Sequence, residues 1–157
     1  YLYENAILKQ HHLEKYAKHK FMTYKSIKNH ATRLMETFQV MAPSIQVQTK
    51  NLSGGNIQKL ILGREISESP PLLVASHPTY GLDVGATEYL RKQLLKRRKE
   101  GGAVLLVSED LEEIFELCDR IAVIFKGEFM GILDAQDERL ADIGMMMTGS
   151  TRIETTP

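Results

Sequence analysis

The sequence predicts an α/β protein built on a doubly wound, parallel sheet. Two apolar runs of strand length, residues 71–75 and 103–107, each end in polar residues. A segment with helical periodicity, about 86–99, separates them. Strands that alternate with helices favour parallel pairing through a crossover. Because ligands of such sheets bind at the carboxyl ends of the strands, we expect chemistry near Ser76 and His77.

Composition limits the classes of function. The chain has 157 residues, enough for one domain with a core, and its 20 Lys and Arg balance its 20 Asp and Glu. Nothing in this balance indicates nucleic acid as a partner. Cys118 is the one cysteine, which excludes an internal disulfide. We expect it to be buried on an apolar helix face with Leu111, Ile114 and Phe115. No apolar run approaches the roughly 20 residues of a membrane span, which predicts a soluble or peripheral protein on the cytosolic side.

The first part of the chain is predicted to be a polar segment followed by a helix. Residues 6–24 contain several Lys and His, and we interpret them as a solvated loop rather than a metal site. Ser26 is predicted to cap a helix that runs to Gln39. Four residues at helical spacing form its apolar stripe: Ile27, Ala31, Leu34 and Phe38.

Residues 52–59 read Leu-Ser-Gly-Gly-Asn-Ile-Gln-Lys and carry most of the functional information. Ser53, Gly54 and Gly55 stand just before an apolar helical run. Two glycines let backbone N–H groups approach an anion, and a helix N-terminus adds its positive dipole end. This pattern favours a phosphate, whereas the alternative is an ordinary Ser N-cap followed by a flexible glycine pair.

The remaining elements follow from periodicity and punctuation. The helix at 86–99 has Ala86, Leu90 and Leu94 on its inner face and stops at Gly101-Gly102. Its basic end is predicted to be solvated, because cations there complement the dipole: Lys96, Arg97, Arg98 and Lys99. After it we predict a helix at 110–118 and a hairpin of strands 120–125 and 129–133. The cluster Met145 to Met147 is interpreted as soft packing.

The order of these motifs resembles the ATP-binding subunit of an ABC transporter, and within that family the simple-sugar (ribose, galactoside, xylose) and nucleoside uptake group. Asn56, Gln58 and Lys59 match the group's signature, and Leu82-Asp83-Val84-Gly85-Ala86 matches its second motif. The resemblance extends from Glu4 to about Gly149. It implies a P-loop NTPase-type (ABC ATPase) fold, with ATP and Mg²⁺ as cofactors of the full-length protein.

One family motif has no counterpart here. The sequence contains no G-x-x-x-x-G-K-[ST], the phosphate-cradling P-loop. The resemblance therefore implies the C-terminal part of a nucleotide-binding domain, as expected for the second of two. We predict a helical signature subdomain at 1–69, part of the α/β core at 70–149 and a disordered tail at 150–157.

The resemblance also implies roles and partners. Ser53, Gly54, Gly55 and Asn56 would contact the γ-phosphate of an ATP held by a second nucleotide-binding domain. Asp83 fits the family's interface loop, and an N-cap role for it is equally favoured. The implied partners are transmembrane permease subunits and, indirectly, an extracytoplasmic solute-binding protein. The implied location is the cytoplasmic face of the cell membrane.

Three positions depart from the family pattern. Ser76 replaces the metal-binding Asp, His77 replaces the catalytic Glu, and Glu109 replaces the switch His. A neutral hydroxyl is a poor Mg²⁺ ligand, and no metal ligand is predicted in this chain. We therefore expect a degenerate ATP site of its own beside an intact signature, and no ATPase activity of this chain by itself.

Two alternatives and one consequence remain at this stage. The chain could be a nucleotide-sensing regulatory module, or part of a chromosome-structure or repair ATPase, although residues 6–50 lack the heptads of the latter.

In the family the P-loop strand lies between the strands matched by 103–107 and 120–125. Without it, we expect those two strands to pair directly or, preferably, a homodimer to cover them.

Overall fold

The computed structural model describes residues 1–18, 21–135 and 138–153. The chain divides into two compact units, Tyr1–Val107 and Ser108–Pro157, and each is described by itself. The functional boundary expected at residues 69 and 70 lies inside the first unit and stays a prediction.

The first unit combines helices with two small sheets. Its helices are α1 (Leu2–Ala6), α2 (Tyr24–Thr37), α3 (Gly54–Ile66) and α4 (Val84–Lys99), with a 3₁₀ turn at Thr49–Asn51. Its strands are β1 (Ala17–Lys18), β2 (Phe21–Met22), β3 (Leu72–Ser76) and β4 (Ala103–Val107). The short β1 and β2 pair antiparallel, whereas β3 and β4 pair in parallel, as the sequence predicted.

The apolar stripe of α2 is confirmed, but the predicted cap is wrong. Ile27, Ala31, Leu34 and Phe38 are all buried. The helix begins at Tyr24 with Thr23 as its N-cap, so Ser26 lies within the first turn. The backbone N–H of Thr23 donates to the Tyr16 carbonyl oxygen at 2.7 Å, which fixes the chain just before the helix. Nothing in Tyr24 and Lys25 prevents helix formation, so the helix extends back to this anchor.

The core of this unit brings α3 close to α2. A buried cluster joins residues of α1, α2, α3 and the segment after α2: Leu2, Ala6, Ala31, Leu34, Phe38, Val40 and Leu60. A Cβ at Gly63 would lie 2.7 Å from the Phe38 ring, so only glycine permits this approach. The packing fixes α3 and hence the residues at its N-terminus.

The parallel pair β3–β4 places α4. Its register runs from Leu72 opposite Ala103 to Ser76 opposite Val107. β4 has the predicted bounds, and β3 is shifted by one residue. The inner face of α4 is confirmed, since Ala86, Leu90 and Leu94 are buried.

The basic end of α4 is the main correction in this unit. Arg97 is only 6% exposed, although the sequence analysis predicted a solvated face. Its guanidinium donates to the carbonyl oxygens of Ser69 at 3.1 Å and Pro70 at 3.2 Å. The neighbouring basic side chains are exposed as predicted: Lys96, Arg98 and Lys99.

The second unit is an antiparallel hairpin with short helices. It contains α5 (Leu111–Leu117), β5 (Arg120–Phe125), β6 (Glu128–Asp134), a 3₁₀ helix at Glu138–Asp142 and α6 (Ile143–Met147). Lys126 and Gly127 form the hairpin turn with positive φ of 48° and 84°, as expected for a two-residue turn that matches strand twist. The hairpin is thus confirmed, with β6 longer than predicted by one residue at each end.

Packing in this unit corrects two details. Phe115 is exposed. Cys118 is half-buried, because it ends α5 rather than continuing its face. Among the three methionines, Met146 is fully buried, whereas Met145 and Met147 are exposed. The Ile153 N–H donates to the Met130 carbonyl oxygen at 2.7 Å, and residues 154–157 of the predicted tail lie outside the described residues.

Of the two alternatives, direct pairing of residues 103–107 with 120–125 is not seen within the described residues. In the described part of the chain, β4 pairs with β3 and β5 pairs with β6, in separate two-stranded sheets. The homodimer that the sequence analysis preferred therefore stays a prediction. Within residues 1–18, 21–135 and 138–153, no helix combines the length and the apolar character needed to cross a bilayer.

His30 on α2 lies in surroundings that disfavour its charged form. Its Nε2 atom is buried and has no hydrogen-bond partner among the described residues, and its ring lies 5.4 Å from the Tyr16 ring. Burial lowers the pKa of His30, and the positive charges of Lys15 and Arg33 lower this pKa further. Glu68 and a hydrogen bond with the Ala6 backbone act in the opposite direction.

We expect the stability of the chain to fall as the pH drops below about 6.5, the usual pKa of histidine in an unfolded chain. The free energy of unfolding falls with pH in this range because His30 binds a proton more readily in the unfolded chain than in the folded one. His30→Gln should reduce the difference between the unfolding free energies at pH about 7.5 and about 5.5. His12→Gln is the control, since His12 is exposed. An unchanged pH dependence in His30→Gln would contradict the prediction.

Candidate nucleotide-contacting site

Ser53 caps α3 and is held by one other residue. Its φ and ψ of −66° and 158° are those of an N-cap. The Ser53 Oγ accepts from the Asn56 backbone N–H at 3.4 Å and from the Asn56 Nδ2 at 2.9 Å. The N-cap interpretation of the Ser-Gly-Gly segment is therefore correct as local structure. It is compatible with an anion site, because Ser53 and Gly54 are exposed.

The other end of the Asn56 side chain reaches the segment after α2. Its Oδ1 accepts from the Met41 N–H at 2.7 Å. One turn further along α3, the Lys59 Nζ lies 3.5 Å from the Gln39 carbonyl oxygen and 4.9 Å from the centre of the Tyr89 ring. Asn56 and Lys59 together attach the start of α3 to residues 39–41.

The two signature glycines differ in their surroundings. A Cβ on Gly54 would meet no atom within 4 Å, so this position opens to solvent. A Cβ on Gly55 would lie 3.1 Å from the Ala86 Cβ and 3.8 Å from the Asp83 Oδ2. Gly55 thus allows the N-terminus of α3 to approach the N-terminus of α4, and Gly54 leaves the backbone accessible.

Asp83 is the N-cap of α4. Its Oδ1 accepts from the Ala86 N–H at 2.8 Å. Of the two roles weighed from the sequence, the capping role is therefore confirmed, and the interface role stays a prediction. Because the N-termini of α3 and α4 are adjacent, their positive dipole ends act in the same region, and exposed anions are favoured there.

The end of β3 offers different chemistry. Ser76 and His77 are exposed, and the His77 N–H donates to the Val107 carbonyl oxygen at 2.8 Å. His77 has a φ of 45°, a left-handed conformation that is uncommon for residues other than glycine. A hydroxyl and an imidazole are not the oxygen-rich, anionic set that Mg²⁺ requires. These two residues therefore do not fit a magnesium site.

Glu109 belongs to the second unit. It is exposed and lies between β4 and α5, directly before Asp110, whose Oδ1 caps α5 by accepting from the Glu112 N–H at 3.0 Å. The structure thus brings Ser53, Gly55, Asn56 and Asp83 together at the starts of α3 and α4. It places Ser76 and His77 together at the end of β3.

The sequence analysis missed the residues that hold the signature in place. The Met41 backbone orients Asn56, and Tyr89 packs under Lys59 while its hydroxyl lies 3.4 Å from the Thr37 carbonyl oxygen. No sequence motif includes Met41 or Tyr89. The available signal was that Asn56 and Lys59 lie one turn apart on one side of α3, which predicts a shared neighbour.

Solved structures with the same fold are ATP-binding cassettes. The chain superimposes on the ATP-binding subunit of an ABC transporter with a TM-score of 0.70 and 19% identity, covering 94% of this chain and 62% of that one. It superimposes on a nucleotide-free ATP-binding cassette with a TM-score of 0.68 and 17% identity, covering 91% of this chain and 62% of that one. These likenesses show the ABC ATPase fold. No family model matches the sequence.

Curated relatives are similar at higher identity. The chain is 44% identical over 93% of its length to the nucleoside import ATP-binding protein NupA of Lactococcus lactis, and 43% identical over 96% to the guanosine import ATP-binding protein NupO of Bacillus subtilis. It is also 43% identical over 92% to the glucose import ATP-binding protein TsgD13 of Haloferax volcanii. The chain spans 29%, 30% and 27% of these relatives, respectively.

The chain has the fold of ABC ATP-binding cassettes, and the predicted resemblance is confirmed. Its relatives at 43–44% identity are ATP-binding proteins of nucleoside and sugar import.

Proposed function

We propose that this chain is part of the ATP-binding subunit of an ABC importer for a nucleoside or simple sugar. In this proposal it provides the signature to an ATP site shared with a second nucleotide-binding domain. ATP binding and hydrolysis at this site drive solute uptake through transmembrane permease subunits. An extracytoplasmic solute-binding protein delivers the solute to these subunits. The complete protein acts at the cytoplasmic face of the membrane.

The residues at the start of α3 have the chemistry that this role requires. The exposed Ser53 hydroxyl and the accessible backbone at Gly54 can donate to phosphate oxygens, while the dipole of α3 favours their negative charge. ATP supplies the transferable γ-phosphoryl group when bound. Its stabilisation depends on positioned donors more than on covalent chemistry.

The observation that carries the proposal is the contrast between two places in the first unit. The signature is complete and is attached to the Met41 backbone through Asn56, whereas the end of β3 has Ser76 and His77 in place of carboxylates. We infer that the ATP site built on β3 binds ATP without efficient hydrolysis. The signature instead completes a competent site on the partner domain, where any Mg²⁺ ligands reside.

A test compares Ser53→Arg with His77→Ala in the complete transporter. Ser53→Arg puts bulk where phosphate must approach, and we expect about a 100-fold loss of ATP turnover. His77→Ala should change turnover by less than about threefold, because a site without carboxylates contributes little. Phosphate release in proteoliposomes is the measurement. If His77→Ala were the more damaging change, the assignment of the competent site would be inverted.

A second prediction concerns the 157-residue chain alone. We expect it to release no phosphate from ATP above the buffer rate, because no P-loop Lys or backbone cradle holds the β- and γ-phosphates in this sequence. A malachite-green assay with and without Mg²⁺ measures this directly. Turnover that Ser76→Ala or His77→Ala removes would refute the prediction.

The alternative of a nucleotide-sensing module is separable from the importer. A sensor without ATPase activity would bind ATP but would show no turnover for solute or permease to stimulate. Stimulation of turnover by solute-loaded binding protein favours the importer. The similarity to importers over more than nine-tenths of this chain is the reason that we prefer it.

A further inference from the structure

Asn56 has a side chain whose orientation is determined by its neighbours. The Met41 backbone N–H can only donate, so the Asn56 atom that faces it at 2.7 Å must be the carbonyl oxygen. The amide nitrogen of Asn56 therefore faces the Ser53 Oγ at 2.9 Å. An amide nitrogen can only donate, so Ser53 must accept in this bond.

Ser53 has one hydrogen-bonding function that Asn56 does not use. Its oxygen accepts from the Asn56 Nδ2 and also from the Asn56 backbone N–H at 3.4 Å. A serine hydroxyl has two acceptor sites and one proton to donate. With both acceptor sites used, the proton is the remaining hydrogen-bonding function, and the exposure of Ser53 leaves it accessible.

We propose that Asn56 is a positioning residue that makes Ser53 a dedicated hydrogen-bond donor toward phosphate oxygen. This inference rests on the proposed function and changes the role that the resemblance gave Asn56. Instead of contacting the γ-phosphate itself, Asn56 acts through Ser53. A hydroxyl that can only donate is matched by a ligand oxygen that can only accept, and an ionised phosphate oxygen makes the stronger, charge-assisted bond.

The test is a double-mutant cycle between Ser53→Ala and Asn56→Ala in the complete transporter, read as ATP turnover. We expect Asn56→Ala to lower kcat about five- to tenfold when Ser53 is present, the effect of about one hydrogen bond. In the Ser53→Ala background the same change should cost less than about twofold, because the group it orients is absent. Melting temperatures of all four proteins exclude unfolding as the cause.

Lys59→Met is the matched control. Lys59 contacts the same segment after α2 as Asn56 does, through the Gln39 carbonyl, but it does not touch Ser53. We expect Lys59→Met to give the same small effect in both Ser53 backgrounds. If Asn56→Ala fails to fold, Asn56→Leu replaces it in the cycle, because leucine keeps a branched side chain without a charge and cannot donate to Ser53.

The outcomes separate two failures. If Ser53→Ala leaves turnover unchanged, the Ser53 hydroxyl does not act on phosphate and this inference fails; the proposed function fails with it only if Ser53→Arg also leaves turnover unchanged. If Ser53→Ala lowers turnover but the cost of Asn56→Ala is equal in both backgrounds, only this inference is overturned. A Lys59→Met cost that also depends on Ser53 would overturn it as well, because anchoring of the segment would then explain the coupling.

Discussion

Gly54→Asp is expected to stabilise the chain slightly and to reduce ATP turnover of the complete transporter about 100-fold or more. Stability should rise by up to about 1 kcal/mol, because an acidic residue in the first turn of α3 complements the dipole and replaces a flexible glycine. No atom lies within 4 Å of the new Cβ, so the fold has room for it. Turnover should fall because the carboxylate occupies the space that a phosphate needs and repels the negative charge of the phosphate.

The opposite signs of these two effects make the prediction specific. Gly144→Asp is the control, since Gly144 also lies in the first turn of a helix with no atom within 4 Å of its Cβ, but in α6. It should leave turnover unchanged. Gly54→Asn adds the same bulk as Gly54→Asp without the charge. Its turnover should lie between those of Gly54→Asp and Gly144→Asp. Calorimetry and phosphate release on the same samples measure both quantities, and normal turnover in Gly54→Asp would show that phosphate does not approach α3.

Elements with a strong periodic pattern could be predicted from the sequence. The four-residue stripe of α2 and the inner face of α4 are buried as expected, because one apolar face of a helix determines its orientation toward the core. β4 has the predicted bounds because Gly102 and Ser108 end the apolar run on its two sides. The start of α2 could not be predicted, since the anchor before it is a backbone bond from Thr23 to Tyr16.

The candidate site shows the same limit. The exposed signature was evident because Ser-Gly-Gly before a helix has a local physical meaning. The partner of Asn56 was not evident, because it is the backbone of Met41, 15 residues away, and a backbone N–H leaves no trace in the sequence. The close approach of Gly55 to Ala86 likewise depends on the packing of two helices. Tertiary contacts of this kind decide which signature residues face solvent.

Arg97 is the clearest case in which position in the sequence misleads. Four consecutive basic residues at a helix end predict solvated cations, yet one of every four successive residues on a helix faces the core. At Arg97 that direction meets the carbonyl oxygens of Ser69 and Pro70. A Cβ on Gly102 would lie 2.4 Å from the Arg97 Cζ, so glycine at that position leaves room for the guanidinium. Arg97 thereby joins the end of α4 to the segment that enters β3.

Arg97→Met is therefore expected to destabilise the chain by about 1–3 kcal/mol, because methionine fills the space but leaves the part-buried carbonyl oxygens of Ser69 and Pro70 without their donor. Arg97→Lys should recover part of the loss, since an ammonium keeps the charge but lacks the planar fork that reaches both carbonyls. Urea unfolding of the purified chain measures the difference. Lys99→Met removes the same charge from an exposed position two residues away and should cost less than about 0.5 kcal/mol. Equal costs for Arg97→Met and Lys99→Met would mean that the charge of the helix end matters and the contacts with Ser69 and Pro70 do not.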